Sequence, residues 1–188
     1  MDAKVLAELR AAEATGAEII HGGDLTFNLK LLRTTYGPIF AHPERHAIVM
    51  GNHDASGGRA KLYAEEFGTV VGTSKTWLTN ALVVEDELEG RPVKVLVTHN
   101  PTPELQGCDY NVYGHIHNSL YLQDGIDYHL EHAGPEWIRW LNTSPQHLNA
   151  CVELHDYRPV SLATLVARMA QLRQNSDTPA HRVKTRAA

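Results

Sequence analysis

Apolar residues in this chain gather into short blocks, and several of those blocks end alike. Ala17-Glu18-Ile19-Ile20, Ala47-Ile48-Val49-Met50, Val93 to Val97 and Tyr110 to Tyr113 read as short buried strands. Each stops at a compact polar group: Gly22-Gly23-Asp24, Gly51-Asn52-His53-Asp54, Thr98-His99-Asn100 and Gly114-His115-Ile116-His117. Thr69 to Gly72 and Thr76 to Glu85 alternate in the manner of antiparallel or edge strands, Glu89-Gly90 turns the chain into Pro92 to Thr98, and Asn149 to Leu154 reads as the last strand.

Helical periodicity fills the intervals. Asp2 is placed to cap a helix with Val5, Leu6, Leu9 and Ala12 on one stripe and Gly16 as its stop. Residues 28 to 36 predict a modest helix, Arg59 to Phe67 another closed by Gly68, and Ser161 caps a final one with Leu162, Leu165, Val166, Met169 and Leu172 on one face. The loop from Gly37 to Arg45 carries His42 and leads to His46. Pro43 argues against a helix there, so both histidines are expected on the surface. Pro101 and Pro103 hold Asn100 to Cys108 as a loop. Leu120 to Thr143, with His129, His132, Trp137 and Trp140, reads as an inserted segment whose aromatics and histidines either pack a surface hairpin, the favoured reading, or line a substrate pocket.

Strands followed at once by polar groups, with helices between, predict an α/β domain whose site lies at the carboxyl ends of the strands. A chain of 188 residues with no internal break in composition predicts one domain, residues 1–174, followed by a polar, disordered tail over 175–188. Formal net charge is -5, and the tail carries Arg182, Lys184 and Arg186 against Asp177, so the body is more acidic still. That is a poor electrostatic match for nucleic acid. Cys108 and Cys151 are isolated, which argues against a disulfide framework or a zinc ribbon and for a reduced, cytoplasmic setting. No run is long and apolar enough to predict a membrane span.

Any one of the polar groups alone is most simply a turn or a satisfied histidine. Together, all at the ends of apolar runs, they make a set of hard and borderline ligands suited to a metal centre. The two histidines of Gly114-His115-Ile116-His117 are one residue apart, so on an extended backbone both would face the same way and Ile116 would face the core.

In this order Gly-Asp, Gly-Asn-His-Asp, His and Gly-His-Ile-His resemble the calcineurin-like metallophosphoesterases. Asn149-Ala150-Cys151-Val152-Glu153 with Tyr157-Arg158-Pro159-Val160-Ser161-Leu162 resembles the closing strand and helix of the small bacterial and phage-type branch. The resemblance spans residues 1 to 172. It implies a β-sandwich flanked by helices in four layers, α/β/β/α. It also implies hydrolysis of small phosphate mono- or diesters by a dinuclear centre and a metal-bound hydroxide. Asp24 then bridges two divalent ions, Asn52, His99 and His115 complete the second ion's shell, His117 reaches the first, and His53 protonates the leaving group with Asp54 as a candidate orienting partner. Manganese is the first candidate, with Fe, Zn, Ni or Mg as alternatives. A small phosphoester is the expected partner, with neither nucleic acid nor membrane; the oligomeric state is open.

The family opens with a strand ending in Asp-x-His, whose side chains hold the first ion, and nothing before Asp24 matches it. Neither Asp2 nor His21 replaces the motif, so the chain reads as truncated at its amino terminus. It is expected to hold the second ion more tightly than the first. Two other readings remain open: a metallophosphoesterase-like scaffold with an incomplete site that binds rather than catalyses, and a single structural zinc.

Overall fold

A strand whose consecutive residues are all apolar has to be covered on both faces. Strand β2 (His46–Val49) meets that condition from Ala47 onward. Ile48 and Val49 point to opposite sides of it, and both are fully buried. Ile48 packs in one core with Met50, Tyr63 and Phe67, and Val49 in a second with Val95, Val97, Leu148 and Leu165. Burying a side chain of this size contributes about 1.5–3 kcal/mol, so β2 ties both cores together.

The computed structural model describes residues 2–25, 30, 34, 42–54, 59–72, 80–117 and 144–176. Among them the chain is mixed α/β, with two sheets and three α-helices. Helix α1 (Asp2–Ala14) leads into β1 (Ile19–His21) through Gly16, which takes φ +82° and donates to the Glu13 carbonyl. After β2 come α2 (Arg59–Glu66) and β3 (Thr69–Val71), and the order in the first sheet is β1-β2-β3, all parallel. The second sheet runs β4 (Ala81–Leu88), β5 (Arg91–Thr98), β6 (Tyr110–Tyr113), β7 (His147–Asn149). Its first pair is antiparallel, and the other two are parallel. Helix α3 (Leu162–Ser176) packs Leu162, Leu165 and Met169 into the second core, and the Thr164 amide donates to the Ser161 hydroxyl as the expected cap. No helix of the described residues is long and apolar enough to cross a membrane.

Several expectations change. The strand at Thr69 is an edge strand, one of the two expected alternatives, and runs parallel because α2 carries the chain back across the sheet before it. The last strand is His147–Asn149, and Val152–Leu154 forms a 3₁₀ turn instead. Helix α3 continues to Ser176, two residues into the expected tail. Of the helix expected over 28 to 36, only Lys30 and Thr34 are described, joined by a bond from the Thr34 hydroxyl to the Lys30 carbonyl. The segment from Leu120 to Thr143 and the tail from 177 lie outside the described residues.

His42 is exposed, but His46 is 1 % exposed. Its Nε2 lies 3.4 Å from the Glu13 carboxylate, which can only accept, so Nε2 carries the proton and Nδ1 accepts from His21 Nε2 at 3.3 Å. The two imidazoles stack at 5.6 Å, and Phe67 stands edge-on to His21. Burial, and then the neighbouring His46, push His21 down to about 3. Burial also lowers His46, against the opposing pull of Glu13.

A stability consequence follows for acid. The unfolded chain protonates His21 below its ordinary 6.5, whereas the folded chain refuses that proton until about 3. The stability held above 6.5 should therefore fall as pH drops through that window, by about 1.4 kcal/mol per unit from this histidine alone. Urea unfolding at pH 7 and pH 5 should show this loss in wild type and a clearly smaller one in His21→Leu. Equal losses in both would contradict it.

Candidate metal centre

The carboxyl ends of β1, β2, β5 and β6 come together, and each delivers a side chain within one to three residues of its last position. The chain can bring these ends so close because glycines stand where they meet. A Cβ on Gly23, which takes φ +96°, would lie 2.7 Å from the Gly51 nitrogen, the Val49 carbonyl and His99 Nδ1. A Cβ on Gly51 would press on the Asp24 carboxylate and lie 2.6 Å from His99 Cε1. Both positions need a residue without a side chain.

His99, 1 % exposed, is at the centre. Its Nδ1 lies 2.7 Å from the Gly22 carbonyl, an acceptor, so Nδ1 carries the proton in the neutral ring and Nε2 is left with its lone pair. Around that Nε2 stand the Asp24 carboxylate at 3.2 Å, the Asn52 side-chain oxygen at 3.0 Å and His115 Nδ1 at 3.0 Å. Oxygen acceptors and imidazole nitrogens crowded this closely repel unless a proton or a cation sits among them. Asp24, His99 and His115 each turn a ligand atom to within 4.8 Å of the others, and the group could hold a metal ion. The donor types suit a borderline divalent ion, and the proton on His99 Nδ1 is the outer hydrogen bond that usually orients a ligating imidazole.

Electrostatics agree with the geometry. Burial raises the Asp24 carboxyl, but the hydrogen bond and charge of His99 and the His53 amide outweigh it and hold Asp24 below its usual value. Burial lowers His99, yet its bond and attraction to Asp24 leave it raised. Each group favours its charged form because the other is present. The backbone contributes too: Asp24 and His115 take φ 54° and 62°, a left-handed conformation costing about 1–3 kcal/mol at each non-glycine position.

Of the residues expected from sequence, Asp24, Asn52, His99 and His115 are thus brought together. His117 is not. The segment after β6 turns through φ 62° and 50° at the two histidines, so they do not share the extended face expected of them. Ile116 is buried as expected, while the His117 side chain is 75 % exposed and Nδ1 meets Glu153 at 3.0 Å. Asn149, buried under that turn, donates to the His117 carbonyl at 2.9 Å. His53 is exposed and gives its backbone amide to Asp24.

Asp54, considered as the partner of His53, serves elsewhere. It is buried, and its oxygens accept from the Asp24 amide at 2.7 Å, the Gly51 amide at 2.9 Å and the Tyr63 hydroxyl at 2.5 Å. Asn80 was not anticipated either. Its amide donates to the Met50 carbonyl at 2.9 Å and fills the space beside Gly72. Nothing in the local pattern separates Tyr63 or Asn80 from ordinary positions; only long-range partners give them roles. Cys151, whose sulfur lies beside Gly114, is pushed up to about 12 by burial and Glu153 and so stays a thiol.

Comparison of the chain with protein-family models, with curated proteins and with solved structures gives no match.

The close approach at Gly51 makes a direct test. Gly51→Ala should push the Asp24 carboxylate and His99 apart and lower Mn²⁺ affinity by about 10-fold or more, as changes just outside a ligand shell do. Isothermal titration calorimetry on the folded variant measures it. Affinity equal to wild type would mean that the ligands do not gather as described.

Proposed function

We propose that this chain is a metal-dependent phosphoesterase of the calcineurin-like kind, acting on small phosphate mono- or diesters. The observation that carries this reading is the convergence of Asp24, Asn52 and His115 on Nε2 of His99 at the ends of four strands. The order of those ligands along the chain is that of the resemblance described above. A shared core in which Val49 of the first sheet packs with Val95 and Val97 of the second supports the four-layer arrangement.

Each side chain has a task that follows from where it sits. Asp24 and Asn52 present oxygens, and His99 and His115 nitrogens, so the set carries a single formal negative charge and leaves most of a divalent ion's charge available to a phosphate. When bound, divalent ions supply Lewis acidity toward phosphoryl oxygens and a water of lowered pKa. His53 is exposed beside Asp24, bound to it through its backbone amide, so its ring can reach a leaving oxygen as general acid while Asp24 holds the loop in place. Manganese is the proposed ion, and a small phosphoester rather than nucleic acid is the proposed substrate, in keeping with the net charge of -5.

One observation favours a second reading. His117 lies against Glu153 and outside the ligand group. That suits a chain holding one ion and serving as a binding scaffold. Stoichiometry separates the two: a catalytic dinuclear centre takes up two ions, the scaffold one.

Hydrolysis of an aryl phosphodiester should require added Mn²⁺ and stop with chelator. His53→Ala should lower turnover by about 100-fold while Mn²⁺ content stays near wild type. His115→Ala should lose the ion itself. Equal turnover in His53→Ala and wild type would remove His53 from the chemistry.

A further inference from the structure

The loops bearing Asp24 and Asn52 are cross-bonded in both directions. The Asp24 amide donates to the Asp54 carboxylate at 2.7 Å, and the His53 amide donates to the Asp24 carboxylate at 2.9 Å. Gly51, next to Asn52, adds a second amide to the same Asp54 oxygen at 2.9 Å. The other Asp54 oxygen takes the Tyr63 hydroxyl from α2 at 2.5 Å. One buried carboxylate therefore joins the loop after β1, the loop after β2 and a helix.

We propose that Tyr63 is a positioning residue of the ion site, acting through Asp54 to fix the two loops so that Asp24 and Asn52 meet His99. The proposal rests on the ion-site reading above. Three observations carry it. First, the Tyr63 ring already satisfies the core, where it packs unexposed with Ile48, Met50 and Phe67. The hydroxyl is not needed for that packing and has Asp54 as its partner. Second, a carboxylate has two faces to satisfy, and the two amides occupy only one oxygen. Without the hydroxyl the other oxygen is buried with one donor fewer, and rotation of the carboxyl to seek another loosens the amides. Third, Asp24 adopts φ 54°, a left-handed conformation that is costlier than the extended one for a residue with a side chain and is helped by the bonds its backbone makes. Its amide bond to Asp54 is one of those bonds, so a slack Asp54 frees Asp24 to leave the ligand position.

The test uses the whole chain and Mn²⁺ alone. Tyr63→Phe keeps the ring and deletes the hydroxyl. We expect its Mn²⁺ affinity by calorimetry to fall by about 10-fold, with faster hydrogen exchange at the Asp24 and Gly51 amides. Asp54→Asn should also weaken binding, and adding Tyr63→Phe to it should cost little more, since both act through one carboxylate. A purely structural hydroxyl would lower the melting temperature and leave affinity untouched. Unchanged affinity in Tyr63→Phe, or unchanged exchange at those two amides, overturns the proposal. A wild-type chain that takes up no Mn²⁺ overturns the ion-site reading itself, and this is seen before any substitution is made.

Discussion

The hydrogen bond from His99 Nδ1 to the Gly22 carbonyl sets the terms for the site. It links the first sheet's loop to the end of β5, fixes the ring, and leaves the remaining nitrogen facing a carboxylate, an amide oxygen and a second imidazole. That arrangement needs positive charge. A proton on His99 can supply it, as its raised pKa beside Asp24 indicates. A divalent ion would supply more charge, and Asp24, His99 and His115 could hold one together; proton and ion would then compete for the same site.

Bringing the donors so close has structural costs, which the rest of the fold offsets. The backbones at Gly23 and Gly51 come within a distance that excludes any side chain, and Asp24 and His115 hold left-handed conformations. Two cores hold these loops in place, joined through β2, whose end is bound from both sides by the Val71 carbonyl on the Met50 amide and by Asn80 on the Met50 carbonyl. Packing thus enforces a geometry whose backbone cost the attraction between Asp24 and His99 also helps to offset.

Much of this was legible in the sequence, and what was missed shares a physical character. The strands before Asp24, Asn52, His99 and His115, the hairpin at Glu89-Gly90 and the Ser161 cap are written in local periodicity and turn chemistry. His46 was read as a surface residue because its partner Glu13 lies thirty-three positions away, and no local pattern carries that pairing. The two histidines after Gly114 were read as co-facial because spacing specifies direction only on an extended backbone, and here the chain turns left-handed. Asp54 was a candidate partner for its neighbour His53, whereas it accepts from the Tyr63 hydroxyl, the nearby Gly51 amide and the Asp24 amide thirty positions away. Which polar residues stand at the strand ends was a local signal; how their side chains are placed was a tertiary one.

The central claim is that these strand ends make one ion site around His99 Nε2. Crystals of the chain grown with Mn²⁺ and measured for anomalous scattering test it most directly. The account predicts a strong peak about 2–2.5 Å from the Asp24 carboxylate, His99 Nε2 and a His115 ring nitrogen, with the Asn52 oxygen adjoining. Manganese bound only elsewhere, with His99 still bridged to Asp24 by a proton, would contradict it.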